Sequence, residues 1–558
     1  MTDIRRTLLW VVFTMSLVLL WDGWNKHTGQ PTIFGGSPAR PAASAAAGPA
    51  PASGVPAAIA TASATGTAAD AVPVSAPVAP SSEAITIETD VVRATLDSRG
   101  GTVVGLELLK YADQHHPEQG VRLLDQSATR TYLAQSGLIT TQPGVTLPNH
   151  LTPMRVLPGE RRLAEGATEL SVVFEASAGD GVTLRKTLRF ARGKYTIEVS
   201  HEVINAGSAP LSPQLYLQLS RDGNKPEGES SFYFTFTGPA VYTEATKFKK
   251  IDFGDIDKRK AEMPPASDNG WVAMVQHYFT SAWMLPVGLE REFRTAKVSD
   301  NLYSVALVSS LGEVAPGASK TQAATLYIGP QEEYRLAALA PGLELVKDYG
   351  WLTILSKPLF WLLTQLHAFI GNWGWAIVAL VVVLKIAFYW LNAKAYGSMA
   401  KMKAVNPKVM EMRARLKDKP QQMQQEMMRI YREEKVNPLG GCLPIVIQMP
   451  FFIALYWVLL SSVEMRNAPW IGWIHDLAAV DPYYILPVLM TASSMFQVWL
   501  NPTPPDPVQA KMMWIIPLAF GVMFFFFPAG LVLYWLTNNI LSIAQQWFIN
   551  KRLGVIGK

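Results

Sequence analysis

The stretch Trp373-Gly-Trp-Ala-Ile-Val-Ala-Leu-Val-Val-Val-Leu-Lys385-Ile-Ala-Phe-Tyr-Trp-Leu391 decides the fold class, because its 19 residues are apolar apart from one lysine. A helix of about 20 apolar residues spans the hydrocarbon core of a bilayer. Four further apolar segments follow, at 443–463, 483–500, 512–527 and 531–549. We therefore predict that residues 372–550 form a membrane core with five spans.

The N-terminal 27 residues are predicted to form a sixth span. An apolar run at 8–21 follows Arg5 and Arg6, and basic residues beside a span remain in the cytoplasm. No small-residue cleavage site follows closely, which favours an uncleaved anchor. Residues 28–82 are predicted to be a linker, because 39 of the 46 residues from 37 to 82 are Ala, Pro, Ser, Gly or Thr and bury too little apolar surface to fold.

Residues 83–342 show the alternation of apolar and polar residues that is typical of β-strands. Turn residues separate these runs, and strands do not alternate with helices, so we predict a large antiparallel β-sandwich outside the cytoplasm. The single cysteine, Cys442, argues against a disulfide or zinc-cysteine scaffold. His201 or His277 could line a sugar or peptide site, but a structural role is the favoured interpretation. The predicted strands lie at 84–96, 102–108, 182–190, 195–204, 214–219, 232–236, 271–275 and 323–328.

The net charge of +5 and the isoelectric point near 9.0 at first suggest nucleic acid as a partner. However, residues 394–435 hold eleven Lys and Arg against five Asp and Glu, whereas 464–481 hold one arginine and three acids. Six spans with both termini in the cytoplasm place every basic segment on the inner side of a bacterial inner membrane. The basic excess therefore indicates topology, and nucleic-acid binding by a folded domain loses its main support.

Two amphipathic segments flank the first span of the core. Residues 343–371 predict a helix in the outer interface with Trp351 and Trp361 at headgroup level. Residues 393–438 predict a cytoplasmic hairpin of two helices, at 393–416 and 421–435, with a possible kink at Pro407. The hairpin is rich in methionine, which serves either ordinary packing or an adaptable surface for varied apolar clients. The candidate client contacts are Met399, Met402, Met410, Met423 and Met427.

Lys385 is the one formally charged side chain within the predicted spans. Measured from Trp373 it lies about 18 Å along a path of roughly 30 Å, where a lysine costs about 3 kcal/mol unless it faces protein or water. Its amine either reaches the inner headgroups or lines a wet cavity. Polar residues on several spans favour the cavity, with room for an anionic guest, although such residues also join helices. They are Gln448, Ser493, Ser494, Gln497, Thr537, Asn538, Asn539, Gln545 and Gln546.

Six motifs follow one another in the membrane half. They are Tyr396-Gly-Ser-Met-Ala-Lys-Met-Lys403, Gln425-Glu-Met-Met428, Glu434-Lys-Val-Asn-Pro-Leu-Gly-Gly-Cys-Leu-Pro-Ile-Val-Ile-Gln-Met-Pro450, Trp473-Ile-His-Asp-Leu477, Asp481-Pro-Tyr-Tyr-Ile-Leu-Pro487 and Phe527-Pro-Ala-Gly-Leu-Val-Leu-Tyr-Trp535. These motifs resemble those of the YidC membrane protein insertases of the YidC/Oxa/Alb family, in the family's order and at the matching places in the topology. The layout of anchor, linker, outer β-domain and five more spans is similar to the Gram-negative form.

The resemblance implies an insertase that is not an enzyme and needs no cofactor. It would move segments of nascent membrane proteins into the lipid bilayer through a hydrophilic groove open to the cytoplasm, alone or beside the Sec translocon. The family's groove arginine falls on Lys385, which keeps the charge but loses the planar fork of donors. Its glutamines fall on Gln448 and, offset by about one residue, on Gln497, and its groove aromatic falls on Trp535 beside Tyr534.

The resemblance further implies a β-supersandwich for the outer domain. The ribosome is a possible partner through the basic cytoplasmic loops, although the tail at 551–558 is short for such a contact. No other nucleic acid is expected.

Two other classes of protein remain as alternatives. A secondary transporter predicts duplicated halves and acidic ion ligands within the spans, and the sequence shows neither. A periplasmic binding module with a membrane anchor does not require five further spans and a patterned hairpin. The insertase is therefore the favoured interpretation.

Overall fold

The computed structural model describes residues 82–114, 116–226, 235–416, 419–434, 443–501 and 507–552. The predicted anchor at 1–27, nearly all of the predicted linker, and residues 553–558 of the tail lie outside these ranges. Residues 507–516 belong to a separate compact unit, and the other described residues form one unit. The contacts described below are within the larger unit.

The described residues between 84 and 330 form two antiparallel sheets of eight and nine strands. The first sheet has the order β1-β2-β3-β4-β5-β10-β16-β15 and the second β12-β11-β13-β14-β17-β9-β8-β7-β6. The strands are β1 Ala84–Glu88, β2 Val92–Asp97, β3 Thr102–Ala112, β4 Gly120–Gln126, β5 Thr131–Ile139, β6 Arg155–Val156, β7 Glu169–Ser177, β8 Val182–Ala191, β9 Thr196–Asn205, β10 Gln214–Asp222, β11 Gly238–Thr243, β12 Lys247–Lys250, β13 Trp271–Val275, β14 Phe279–Met284, β15 Glu292–Ser299, β16 Leu302–Ser310 and β17 Ser319–Pro330.

The predicted antiparallel sandwich is confirmed. Strand β13 has the predicted bounds of 271–275, and β8 and β9 agree with their predictions within one residue. The predicted strand at 232–236 lies mostly outside the described residues, and its last two residues precede β11 without forming a strand. Inward-facing apolar side chains of both sheets form one continuous core, in which Tyr132 of β5 bonds to Ser281 of β14. Alternation thus located the strands because one face of each sheet is buried.

A polar cluster joins the two sheets inside this core. The Lys186 amine donates to the carbonyl oxygen of Gly100 at 2.8 Å, and Ser136 is hydrogen bonded to His201 at 2.8 Å. Nearby, the His150 ring is hydrogen bonded to the Tyr216 hydroxyl. His201 is fully buried, so the interpretation in which it lines a ligand site is wrong and its role is structural.

We expect the free energy of unfolding of the β-domain to fall as the pH falls from about 6.5 to about 3. Burial, with the charge of Lys186, lowers the pKa of His150 and of His201 to about 3. The unfolded chain therefore binds more protons than the native chain over this range, and acid favours unfolding. Urea unfolding at several pH values measures the slope. His201→Gln should make the slope shallower, and an unchanged slope would contradict this explanation.

Within the described ranges, two short helices accompany the sandwich, α1 Phe253–Asp257 and α2 Glu333–Leu339, and eight more helices follow. Helix α3 packs against α4 and α7 and exposes Ile354, Trp361 and Phe369, in keeping with the amphipathic helix expected at 343–371. The eight are α3 Thr353–Ile370, α4 Trp373–Ala387, α5 Tyr389–Arg415, α6 Pro420–Glu433, α7 Leu443–Ser461, α8 Ile485–Leu500, α9 Pro507–Phe524 and α10 Ala529–Arg552.

The predicted span at 373–391 does not form one continuous helix. Helix α4 ends at Ala387, and the chain bends by 66° into α5. The ring of Phe388 at the break packs edge-on against Phe451 of α7, with 5.0 Å between centroids, a tertiary contact that local sequence does not reveal. Among the described helices no single one has the length and apolarity to cross a bilayer, although Trp373–Ala387 and Tyr389–Ser398 have them as a bent pair.

Helices α5 and α6 pack together as a helical hairpin. Helix α5 continues from Tyr389 through Pro407, so the predicted start at 393 is wrong. Val405, Val409 and Met412 form a small buried core between the two helices. This core is separate from that of the sandwich and of the remaining helices, so the hairpin depends on few apolar contacts.

Polar contacts connect the sandwich and the segment that follows it to the C-terminal end of α7. The amine of Lys347 lies 3.1 Å from the carboxylate of Glu464 and 3.7 Å from the centroid of the Phe360 ring. Arg466 donates to the carbonyl oxygen of Ala112 at 2.8 Å, and the ring of His277 is hydrogen bonded to the Leu460 carbonyl at 2.9 Å. His277 therefore serves the junction between the sandwich and the helices.

Candidate polar cavity in the helical bundle

A partly open cavity lies between α4, α7 and α10, and the space in and around it, open solvent included, is about 330 Å³. Its walls are mainly apolar, and they include one cation and a few uncharged polar groups. Such a mixture of apolar walls and few polar groups is typical of sites that bind a guest. The lining residues are Val381, Leu384, Lys385, Phe388, Gln448, Phe451, Phe452, Leu455, Tyr534 and Asn538.

Lys385, half-buried on α4, supplies the positive charge of the cavity. Its amine donates to the hydroxyl of Ser542 on α10 at 2.6 Å, so it faces the bundle in this structure. Across the described part of the chain, no carboxylate lies within ion-pairing distance of this amine. The cavity therefore keeps the net positive charge that the sequence predicts.

Gln448 belongs to a chain of amides that crosses three helices. It donates to the side-chain oxygen of Asn392 on α5 at 2.7 Å. Asn392 in turn donates to Gln545 on α10 at 3.4 Å. The bond to Asn392 fixes the orientation of the Gln448 amide at the edge of the cavity. Because the amide nitrogen donates to Asn392, the amide oxygen is directed away from that residue.

Of the two predicted aromatic residues, Tyr534 lines the cavity and Trp535 lies outside its lining. The Tyr534 ring is 1% exposed, and its buried hydroxyl has no hydrogen-bond partner among the described residues. Trp535 stacks on Phe452 with 6.0 Å between centroids. Tyr534 is therefore the aromatic residue of this pair that lines the cavity, and Trp535 packs against Phe452 of the cavity wall.

Other polar residues of α10 join helices instead of lining the cavity. Asn539 donates to Ser494 on α8 at 2.7 Å, and Gln546 donates to Asn501 at 3.0 Å. Such side-chain bonds hold helices together where water is scarce. Gln497 is half-buried on α8 and lies outside the described lining of the cavity.

The candidate methionines take two kinds of position in the hairpin. Met402, Met423 and Met427 pack, partly buried, against its small core, whereas Met410 is 52% exposed. The side chain of Met399 lies outside the described part of the chain. Packing and surface roles therefore coexist along the stripe.

Sequence reasoning missed Asn392 and Ser542, which bond to the two predicted polar residues of the cavity. Asn392 carries no signal of helical spacing, because the break at Phe388 separates it from the helix of Lys385. Ser542 lies between Asn538 and Gln545 at steps of four and three. Residues at these spacings share one face of a helix. Ser542 is hard to identify from sequence, because the hydropathy of serine is close to neutral and does not interrupt an apolar segment.

A polar, positively charged cavity inside an apolar helical bundle, beside a large antiparallel sandwich, defines a helical membrane protein with a β-sandwich domain. Residues 84–362 match the family model of the YidC periplasmic domain, and residues 365–555 match that of the 60Kd inner membrane protein. The chain belongs to the YidC family of membrane protein insertases. The resemblance seen in the motifs is thereby confirmed.

Curated relatives extend over nearly the whole chain. The membrane protein insertase YidC of Cupriavidus necator is 57% identical over 556 residues, covering 99% of this chain and 98% of the relative. The protein of the same name from Ralstonia nicotianae is 55% identical over 555 residues, with the same coverage. A solved structure of an active YidC insertase covers 85% of this chain and 94% of its own, at 19% identity and a TM-score of 0.38.

Proposed function

We propose that this protein inserts nascent membrane proteins into the inner membrane by way of the cavity around Lys385. The single observation that carries this proposal is the position of that amine, inside an apolar bundle and without a carboxylate partner among the described residues. A cation inside a membrane-spanning bundle costs free energy, so its presence there indicates a function. An acidic or polar flank of a client supplies the missing counterpart.

The proposed topology has six spans with both termini in the cytoplasm. Residues 1–27 form the anchor, 28–82 the linker, 83–342 the periplasmic domain, 343–371 the interfacial helix and 372–550 the core. The cytoplasmic hairpin at 393–438 and the tail at 551–558 are on the basic side. The charge of the loops supports this orientation, since Lys and Arg next to spans remain in the cytoplasm.

In the proposed mechanism, a client first contacts the methionine-rich hairpin and then places its hydrated flank near Lys385 and Gln448. The cavity's polar groups lower the cost of moving that flank part-way through the membrane. The client's apolar segment moves along α7 and α9 into lipid, where burial contributes about 25 cal/mol per Å². The membrane potential contributes further by acting on charge. No cofactor or covalent step is required.

We also propose that the Sec translocon cooperates with this protein for some clients and that basic cytoplasmic loops contact the ribosome. The basic segment 394–435 supports the second contact, since RNA carries a dense negative charge. The short tail limits how large that contact is.

Photocrosslinking to an arrested nascent chain tests the proposal. A probe at Gln448 should crosslink the chain, because this residue borders the cavity. A probe at Val287, which is 72% exposed in the β-domain and outside the cavity lining, serves as the control and should crosslink weakly. Equal yields from the two positions would refute a client path through the cavity.

A further inference from the structure

We infer that Ser542 is a positioning residue that keeps the amine of Lys385 in the cavity and so sets the preference for clients with acidic flanks. This inference rests on the proposed function of the cavity. It assigns Ser542 no direct contact with the client. Ser542 sets the position of the Lys385 amine before a client arrives.

The hydroxyl of Ser542 is well suited to accept from the amine. Ser542 is 5% exposed, and its own hydrogen is used in a bond to the Asn538 carbonyl at 2.7 Å. A serine oxygen that donates one bond still has lone pairs for acceptance. The Lys385 amine occupies one of them at 2.6 Å, and the Tyr396 side chain is also hydrogen bonded to this serine.

Without this acceptor, Lys385 would have a favourable alternative position. A lysine has a flexible four-carbon stem and loses considerable rotamer freedom when its amine is held in one place. Lysines near the ends of spans extend towards the headgroups to rehydrate. A hydrogen bond to α10 opposes this movement and keeps the positive charge beside Asn538 and Gln448, where the cavity can receive a client.

The neutral character of the acceptor also matters. A hydroxyl holds the ammonium but leaves its charge uncompensated, and two of its three protons remain for a guest. A client carboxylate makes a stronger, charge-assisted bond. A carboxylate at position 542 would instead neutralise Lys385 permanently and remove the attraction for acidic flanks.

Insertion of two matched clients tests this inference. The clients differ only in the translocated flank, which carries two aspartates in one and two asparagines in the other, and purified full-length protein in proteoliposomes inserts them. We expect Ser542→Ala to lower insertion of the aspartate client about fivefold relative to the asparagine client. Ser542→Thr, which keeps a hydroxyl, should restore the wild-type ratio, and Ser542→Asp should reduce the ratio at least as far as Lys385→Ala.

Ser461→Ala is the matched control, because that hydroxyl also bonds a carbonyl of its own helix, that of Trp457 at 2.6 Å, and lies outside the cavity lining. It should leave the ratio unchanged. A wild-type ratio for Ser542→Ala, whether insertion of both clients falls equally or does not fall at all, would overturn the inference. If Lys385→Ala also leaves the ratio unchanged, the proposed role of the cavity charge fails as well. If Lys385→Ala lowers the ratio and Ser542→Ala does not, only the role of Ser542 fails.

Discussion

Replacing Lys385 with alanine is expected to lower insertion of clients with acidic translocated flanks by about tenfold, which corresponds to about 1.4 kcal/mol. The amine is the cation among the residues that line the cavity, so its removal leaves an acidic flank without an opposite charge in a poorly hydrated space. Arginine should preserve insertion, because it retains the charge and adds further donors. Protease protection of the translocated flank measures the effect.

A second lysine provides the control for this experiment. Lys394 lies nine residues further along the chain, with its amine 3.8 Å from the centroid of the Trp390 ring, and it is not among the cavity residues. Lys394→Ala removes the same charge and should change insertion little. Normal insertion of acidic-flanked clients by Lys385→Ala, at equal abundance, would refute the electrostatic role. The insertase function itself would stand, because the uncharged polar groups would still serve clients with neutral flanks.

Replacing Glu464 with glutamine is expected to destabilise the protein by about 3 kcal/mol, the lower end of the range for breaking a buried ion pair. The side chain of Lys347 is 0% exposed and that of Glu464 is 18% exposed. Loss of the carboxylate therefore leaves a buried ammonium whose remaining favourable contacts are chiefly with the rings of Phe360 and Tyr349. Thermal unfolding of the full-length protein in detergent measures the loss.

Two comparisons separate the buried charge from a general effect of substitution. Lys347→Met combined with Glu464→Gln should recover most of the stability, because an apolar side chain of similar size is tolerated in place of a buried cation. Glu262→Gln breaks the surface pair with Lys249, in which the lysine side chain is 35% exposed and the glutamate side chain 84% exposed, and should change the stability little. A double variant as unstable as Glu464→Gln would contradict the explanation.

The sandwich shows what alternation can and cannot predict. The alternation of apolar residues located β8 and β9, because a strand with one buried face repeats every two residues. Strand β13 is buried at every position, and a continuous apolar run located it. It could not reveal that β10 lies between β5 and β16, since many strands of the same pattern are equally able to pair. Strand order depends on contacts between residues far apart in the chain.

In the cavity, too, some residues can be predicted from local sequence and others depend on contacts between distant parts of the chain. Lys385 was identifiable because one charge in an apolar run is costly, and Gln448 because amides are rare in such segments. Their partners Ser542 and Asn392 come from other helices. The bend at Phe388 brings α5 beside α7 and α10. The Phe388 ring packs against Phe451 at this break, where the sequence has no proline or glycine.

By itself, the sequence determined the division into sandwich and apolar helices, the basic sides of the predicted spans and the buried cation, because each follows from hydropathy and charge along the chain. Only the tertiary structure decided which hydroxyl holds that cation, which aromatic ring faces the cavity and how the sandwich meets α7. Those outcomes depend on distances between helices and sheets, and local spacing along a chain contains no such distances.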